Sequence, residues 1–275
     1  MSVFLPDRLE LVKGAPGVRR AHLDQLVLAL RPGTSAVRRR YLEALRQRNA
    51  LLGALRARET GVEEAARRLE PWDAALAQAA VALTAARAEA VALLREPVAG
   101  RAAALGLDGE LEAVYRPRIA GDADELVVAL RERLPGDLDR GFTHHGPHRD
   151  DLALRRDGRP IARFGSQGEQ RLTLLALLLG EADALHEATD RRPVLLLDDV
   201  MSELDVERRR RLVEVLREDD LGAGRGQALV TVTEPGHLPG AEEEAVGLVH
   251  VARDGTTTER VASAPTGAAA GGERS

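Results

Sequence analysis

The 275-residue chain contains no cysteine, which excludes disulfides and thiolate metal sites and fits a reducing compartment. Aromatic residues make up only 2%, so a core must be built from leucine, valine and alanine. Lysine occurs once, as Lys13, against 38 arginines, so the chain has no Gly-Lys-Ser/Thr step of a phosphate-binding loop. No apolar run approaches membrane-spanning length and the N-terminus lacks a signal-peptide pattern; a cytoplasmic protein without a membrane partner is expected. A formal charge of −5 argues against attraction of nucleic acid over the whole surface, while leaving room for a local basic groove.

What remains is ordinary globular material, 44% hydrophobic and 30% charged, and long enough for one large or two modest domains. Residues 1–35 read as a compact lobe and connection with a helix over 19–30. Residues 36–106 read as a helical arm, an antiparallel pair joined between Thr60 and Trp72 with a break near Pro71. Residues 107–261 read as mixed α/β: strands near 111–115, 194–197 and 228–232, helices over 122–133 and 172–185, and hairpins around Asp157-Gly158 and Asp254-Gly255. The two short runs at 194–197 and 228–232 are apolar on both faces, as in central strands of a covered sheet. The tail, 262–275, has the composition of a disordered segment.

Two segments carry chemistry. Ser166-Gln167-Gly168-Glu169-Gln170 opens an apolar helix pattern; serine caps helices, and the free N–H groups and dipole of a helix start attract anions. The bland reading is a plain capping box between Ser166 and Glu169. The run over 193–205, PVLLLDDVMSELD, ends a strand in Asp198 and Asp199, where side-chain alternation lets one carboxylate hold Mg²⁺ and the other orient an attacking water. Its bland reading is a strand ending in solvated acids. The two segments one helix apart, with Asp205 following, outweigh both bland readings.

This trio resembles the signature loop, Walker B strand and D-loop of ABC-type ATPase heads of the SMC-like group. The match narrows with the run FLPDRLELVKGAPGVRRAHLD over 4–24, RQRN over 46–49, Trp72-Asp73 with Leu76, and GPHRDD over 146–151. With 166–171 and 195–205 in the same order, these resemble the RecF family of DNA replication and repair proteins over residues 4 to about 250.

The resemblance implies an α/β fold, a partial ABC-type head with a P-loop NTPase-like sheet and an inserted long helical arm. It implies ATP and Mg²⁺ as cofactors. As partners it implies DNA, recombination mediator proteins and a second copy in an ATP-dependent homodimer. It implies action at single-stranded and gapped DNA, in recombinational repair, fork maintenance and the SOS response. Ser166, Gln167, Gly168, Glu169 and Gln170 would face the partner's nucleotide, joined by Asp205 and, at the switch position, Thr233, with Thr231 as the alternative there. Asp198 would serve the metal and Asp199 the catalytic water. The family's phosphate loop precedes the residue aligned with Met1, so the chain reads as an N-terminally truncated piece, non-catalytic and unable to bind ATP by itself if it stands alone.

Arg38, Arg39, Arg40, Arg46 and Arg48, and a second cluster over 208–211, are the basic groups offered to DNA phosphate; each cluster also reads as a solvated helix face. Trp72 reads as a packing anchor of the arm. His144, His145 and His148 with Asp150 and Asp151 could suggest a metal-dependent nuclease, but hydrogen bonding within the head accounts for them more simply.

Overall fold

The computed structural model describes residues 2–4, 6–119, 121–221, 227–241, 247–251 and 256–260. In chain order the elements are β1 (Ser2–Phe4), α1 (Glu10–Lys13), α2 (Pro16–Leu30), α3 (Ser35–Ala57), α4 (Val62–Ala104), β2 (Leu111–Arg116), α5 (Ala123–Glu132) and α6 (Leu134–Arg140). They continue with β3 (Asp151–Arg156), β4 (Arg159–Pro160), α7 (Ile161–Phe164), α8 (Gln167–Thr189), β5 (Leu195–Leu197), α9 (Val206–Leu221), β6 (Ala228–Val230), β7 (Leu248–Val251) and β8 (Thr257–Arg260). The expected tail over 262–275 lies outside the described residues.

The arm turns at residues 58–61, and α4 then runs through both Pro71 and Pro97 without the break expected near Pro71. Proline in a helix interior costs about 3 kcal/mol. The helix survives because Ala65, Leu69, Leu76, Ala80 and Leu83 recur at helical spacing and are buried, each leucine contributing roughly 1.5–3 kcal/mol. Pro71 itself is exposed. Trp72 is 37% exposed and anchors little; its neighbour Asp73, 1% exposed, is the buried residue of that turn.

The arm is broader than a helix pair. Leu126 and Leu130 of α5 share a core with Tyr41, Leu76 and Leu83, and Leu134 of α6 joins Leu52, Leu55 and Leu69. By length and composition α4 resembles a membrane-crossing helix. Its buried face, however, carries Asp73 and Arg87, each ion-paired to other elements of the fold.

The head is built on a parallel sheet in the order β1-β5-β6, with Ser2 opposite Leu195 and Leu197 opposite Val230. β5 is central, with Leu195 and Leu197 buried. β6 is not the covered central strand that its composition suggested: among the described residues it pairs only with β5, and Leu229 is 53% exposed. The expected hairpin at Asp157-Gly158 forms between β3 and β4, but its second strand stops after two residues, where α7 begins and buries Ile161. α8, apolar and buried over most of 172–179, lies between the sheet and the root of α4, with an ion pair from Arg101 to Asp183 at 2.6 Å and a hydrogen bond between His22 and Glu181 at 2.5 Å.

Inside the arm, between its two apolar clusters, charges are buried in company. Arg48, wholly buried, donates to Asp73 at 2.7 Å, to Asp137 at 2.8 Å and to the Thr143 hydroxyl at 2.7 Å. Thr143 in turn donates to Asn49 Oδ1 from its hydroxyl and its backbone. A second hub lies one step deeper: Arg87 donates to Asp24 at 2.8 Å, to the Pro147 carbonyl at 2.7 Å and to Asp150 at 3.3 Å. Tyr115 also donates to Asp150, and Arg19 grips Asp151 with two bonds of 2.8 and 2.9 Å.

Gly146 sits at φ 142°, and a Cβ there would lie 2.8 Å from the Tyr41 hydroxyl. Only glycine lets residues 146–151 close onto the arm. His148 is bonded from both ring nitrogens, to the Tyr41 hydroxyl at 2.6 Å and the Thr143 carbonyl at 3.1 Å. Burial pushes its pKa down to about 4. Among the described residues no group of three or more His, Asp or Glu side chains is arranged to hold a metal.

Candidate functional site

The site forms where the start of α8 meets the end of β5. Ser166 caps α8, accepting from the Glu169 backbone at 3.3 Å, while Glu169 accepts from the Ser166 backbone at 2.6 Å. Glu169 is further held by Arg156, whose hydrogen bond is the main cause of its depressed pKa. Gln170 turns back into the fold, its amide donating to the Gly165 carbonyl at 3.1 Å. Glu169 and Gln170, expected to face a nucleotide, are therefore occupied in building the loop; Ser166 and Gln167 are exposed at its tip, with Gly168 half-buried behind them. A Cβ on Gly168 would come within 3.2 Å of the Arg208 guanidinium, a flexible side chain of α9.

β5 ends at Leu197, and Asp199 adopts the left-handed conformation at φ 47°, which aspartate tolerates better than most residues. The two carboxylates are consequently held by different elements. The Thr231 hydroxyl donates to Asp198 at 2.6 Å and accepts from the Asp199 backbone at 2.9 Å. The Ser202 hydroxyl donates to Asp199 at 2.8 Å. Asp198 is exposed and Asp199 half-buried.

Asp205, exposed, accepts from the Arg208 backbone at 2.9 Å at the start of α9. An ion pair between Arg171 and Glu203 ties α8 to the turn that follows the aspartates. Thr233, expected at the switch position, faces His237 at 3.5 Å and not the aspartates. Thr231, the alternative, is the threonine bonded to both aspartates, because the register Leu197 to Val230 puts the residue after β6 beside Asp198.

The basic groups divide sharply. Arg39 and Arg40 are exposed; Arg38 is exposed and paired with Asp24, and Arg46 with Glu43. Arg48, 0% exposed in the arm hub, cannot meet DNA phosphate. Ser202 is the supporting group that sequence reasoning left out of the site. Thr231 was one of two candidates in its strand, and only strand register separates them.

A parallel sheet whose central strand ends in paired aspartates, a capped Ser-Gln-Gly loop beside it and an inserted helical arm define an SMC-like ABC-type ATPase head. No protein-family model matches the chain. It is 40% identical over 265 residues to the DNA replication and repair protein RecF of Acidothermus cellulolyticus, covering 91% of this chain and 69% of that one. It is 40% identical over 251 residues to the RecF of Frankia alni, covering 86% and 65%. Among solved structures, it matches "the recombination mediator protein RecF-ATPrS in RecFOR pathway" with a TM-score of 0.74 at 26% identity, covering 94% of this chain and 67% of that one. It matches the corresponding RecF-ATP structure with a TM-score of 0.72 at 27% identity, covering 85% and 62%. The chain belongs to the RecF family of DNA replication and repair proteins. It spans about two thirds of the length of these relatives.

Proposed function

We propose that the chain supplies the signature and aspartate portion of a head that binds single-stranded and gapped DNA in an ATP-dependent manner, within recombinational repair. The observation that carries this reading is the junction itself: an exposed capped helix start, two separately held aspartates, and a direct tie between them through Arg171 and Glu203. Similarity to structures described as RecF-ATP and as recombination mediators supports ATP and mediator proteins as partners.

The donor set fits a hard cation. Asp198 is exposed and uses one oxygen on Thr231, so the other can take Mg²⁺. Magnesium, when bound, would offset phosphate charge. Asp199, held by Ser202, would orient water. Ser166 and Gly168 would meet the nucleotide of a second copy, with Asp205 between protomers. Arg38, Arg39, Arg40 and Arg46 remain as the arm's contribution to DNA phosphate.

Asp199→Asn in the intact gene product is expected to preserve ATP-driven dimerisation, measured by sedimentation, while slowing ATP turnover at least tenfold. Unchanged turnover overturns the assignment. A second reading, that this 275-residue chain does not bind ATP by itself, is favoured by its lack of a Gly-Lys-Ser/Thr step. Titration of the purified chain with magnesium-ATP separates the two.

A further inference from the structure

We propose that residues 155–164 form a base-binding subsite for the nucleotide whose phosphates meet the Ser166 loop, an inference that rests on the reading of that loop given above. Phe164 is 56% exposed, although the chain has only three phenylalanines. It stands two residues before Ser166, on the wall of a cavity of about 330 Å³ that is also lined by Arg156, Arg159 and Ile161. The Arg163 guanidinium lies 5.4 Å from the Phe164 ring centre. Over these ten residues there are four arginines and one aspartate, in a chain whose net charge is −5. Neither Arg159 nor Arg163 pairs with a carboxylate among the described residues.

An exposed aromatic face beside cations matches one chemistry, a flat uncharged ring joined to phosphate. The cavity volume lies at the lower end of the range for small-molecule sites, which suits a nucleoside. Glu169, through Arg156 and the capping box, couples this wall to the start of α8. Asp157 also lines the cavity, but one of its oxygens already accepts from the Glu110 backbone at 2.9 Å.

The test uses the intact gene product and reads the ATP concentration that gives half-maximal dimerisation by sedimentation. Phe164→Ala is expected to raise it about tenfold, the effect of losing one base–aromatic stack, and Phe164→Trp to restore it; Ser166→Arg should abolish dimerisation. Because Phe164 is exposed, thermal unfolding of both Phe164 variants should match the parent. A wild-type response in Phe164→Ala, with Ser166→Arg inactive, overturns the base subsite and leaves the loop reading standing. A wild-type response in Ser166→Arg overturns both. If Phe164→Ala weakens oligothymidylate binding while ATP-driven dimerisation is unchanged, the hairpin serves single-stranded nucleic acid and the proposal fails.

Discussion

The buried hub inside the arm and the α8–β5 junction are both rich in aspartate and arginine, yet they use charge in opposite ways. In the hub, Arg48 is wholly buried and Asp73 and Asp137 are each at most 2% exposed, bonded to it on two sides. At the junction, Asp198 is exposed and held by one hydroxyl. Buried charges must be neutralised within the fold, because their desolvation is repaid only by complete pairing. Exposed charges with open lone pairs are free to meet a ligand. The same residue types therefore hold the structure together in one place and wait for chemistry in the other.

Breaking the arm hub gives the largest expected effect. Arg48→Met leaves two buried carboxylates unpaired and should lower unfolding free energy by about 3–5 kcal/mol, read by urea denaturation. Asp199→Asn in the same assay should change stability far less, and a comparable loss would erase the contrast. Acid tests the arm next. His148 has its pKa lowered to about 4 from an ordinary 6.5, so between those values the unfolded chain binds more protons than the folded one. Stability should therefore fall as pH drops from 6.5 to 4, by up to about 3 kcal/mol, and His148→Gln should flatten that part of the pH profile.

At the junction the effects are smaller. Thr231→Val removes the hydroxyl shared by Asp198 and Asp199 and should cost about 1 kcal/mol, with a larger loss in ATP turnover than in stability. Thr233→Val should leave turnover unchanged, which sharpens the assignment of Thr231. Ser166→Ala removes the α8 cap and should cost roughly 0.5–1 kcal/mol by the same denaturation assay.

Much of this was legible in order along the chain. The α8 cap, the apolar β5 run ending in two aspartates, and the Asp157-Gly158 turn are local signals, and each element forms where its pattern lies. Helix α4 was misread at Pro71 because propensity is local, whereas the buried stripe that overrides it depends on α3 and α5. Arg48 was grouped with the exposed arginines beside it for the same reason: one helical face is decided by what packs there, and Asp137 lies 89 residues away. Glu169 and Gln170 carried the right motif but turn to Arg156 and Gly165, partners that no spacing in the motif reveals.

By itself the sequence determined the family, the aspartate pair and the capped loop, because each is a short run of residue types whose chemistry needs that spacing. Only the tertiary structure decided which threonine serves the aspartates, which arginines are available, and how the arm is anchored. Those outcomes depend on strand register and burial, which are set by contacts between residues far apart in the chain.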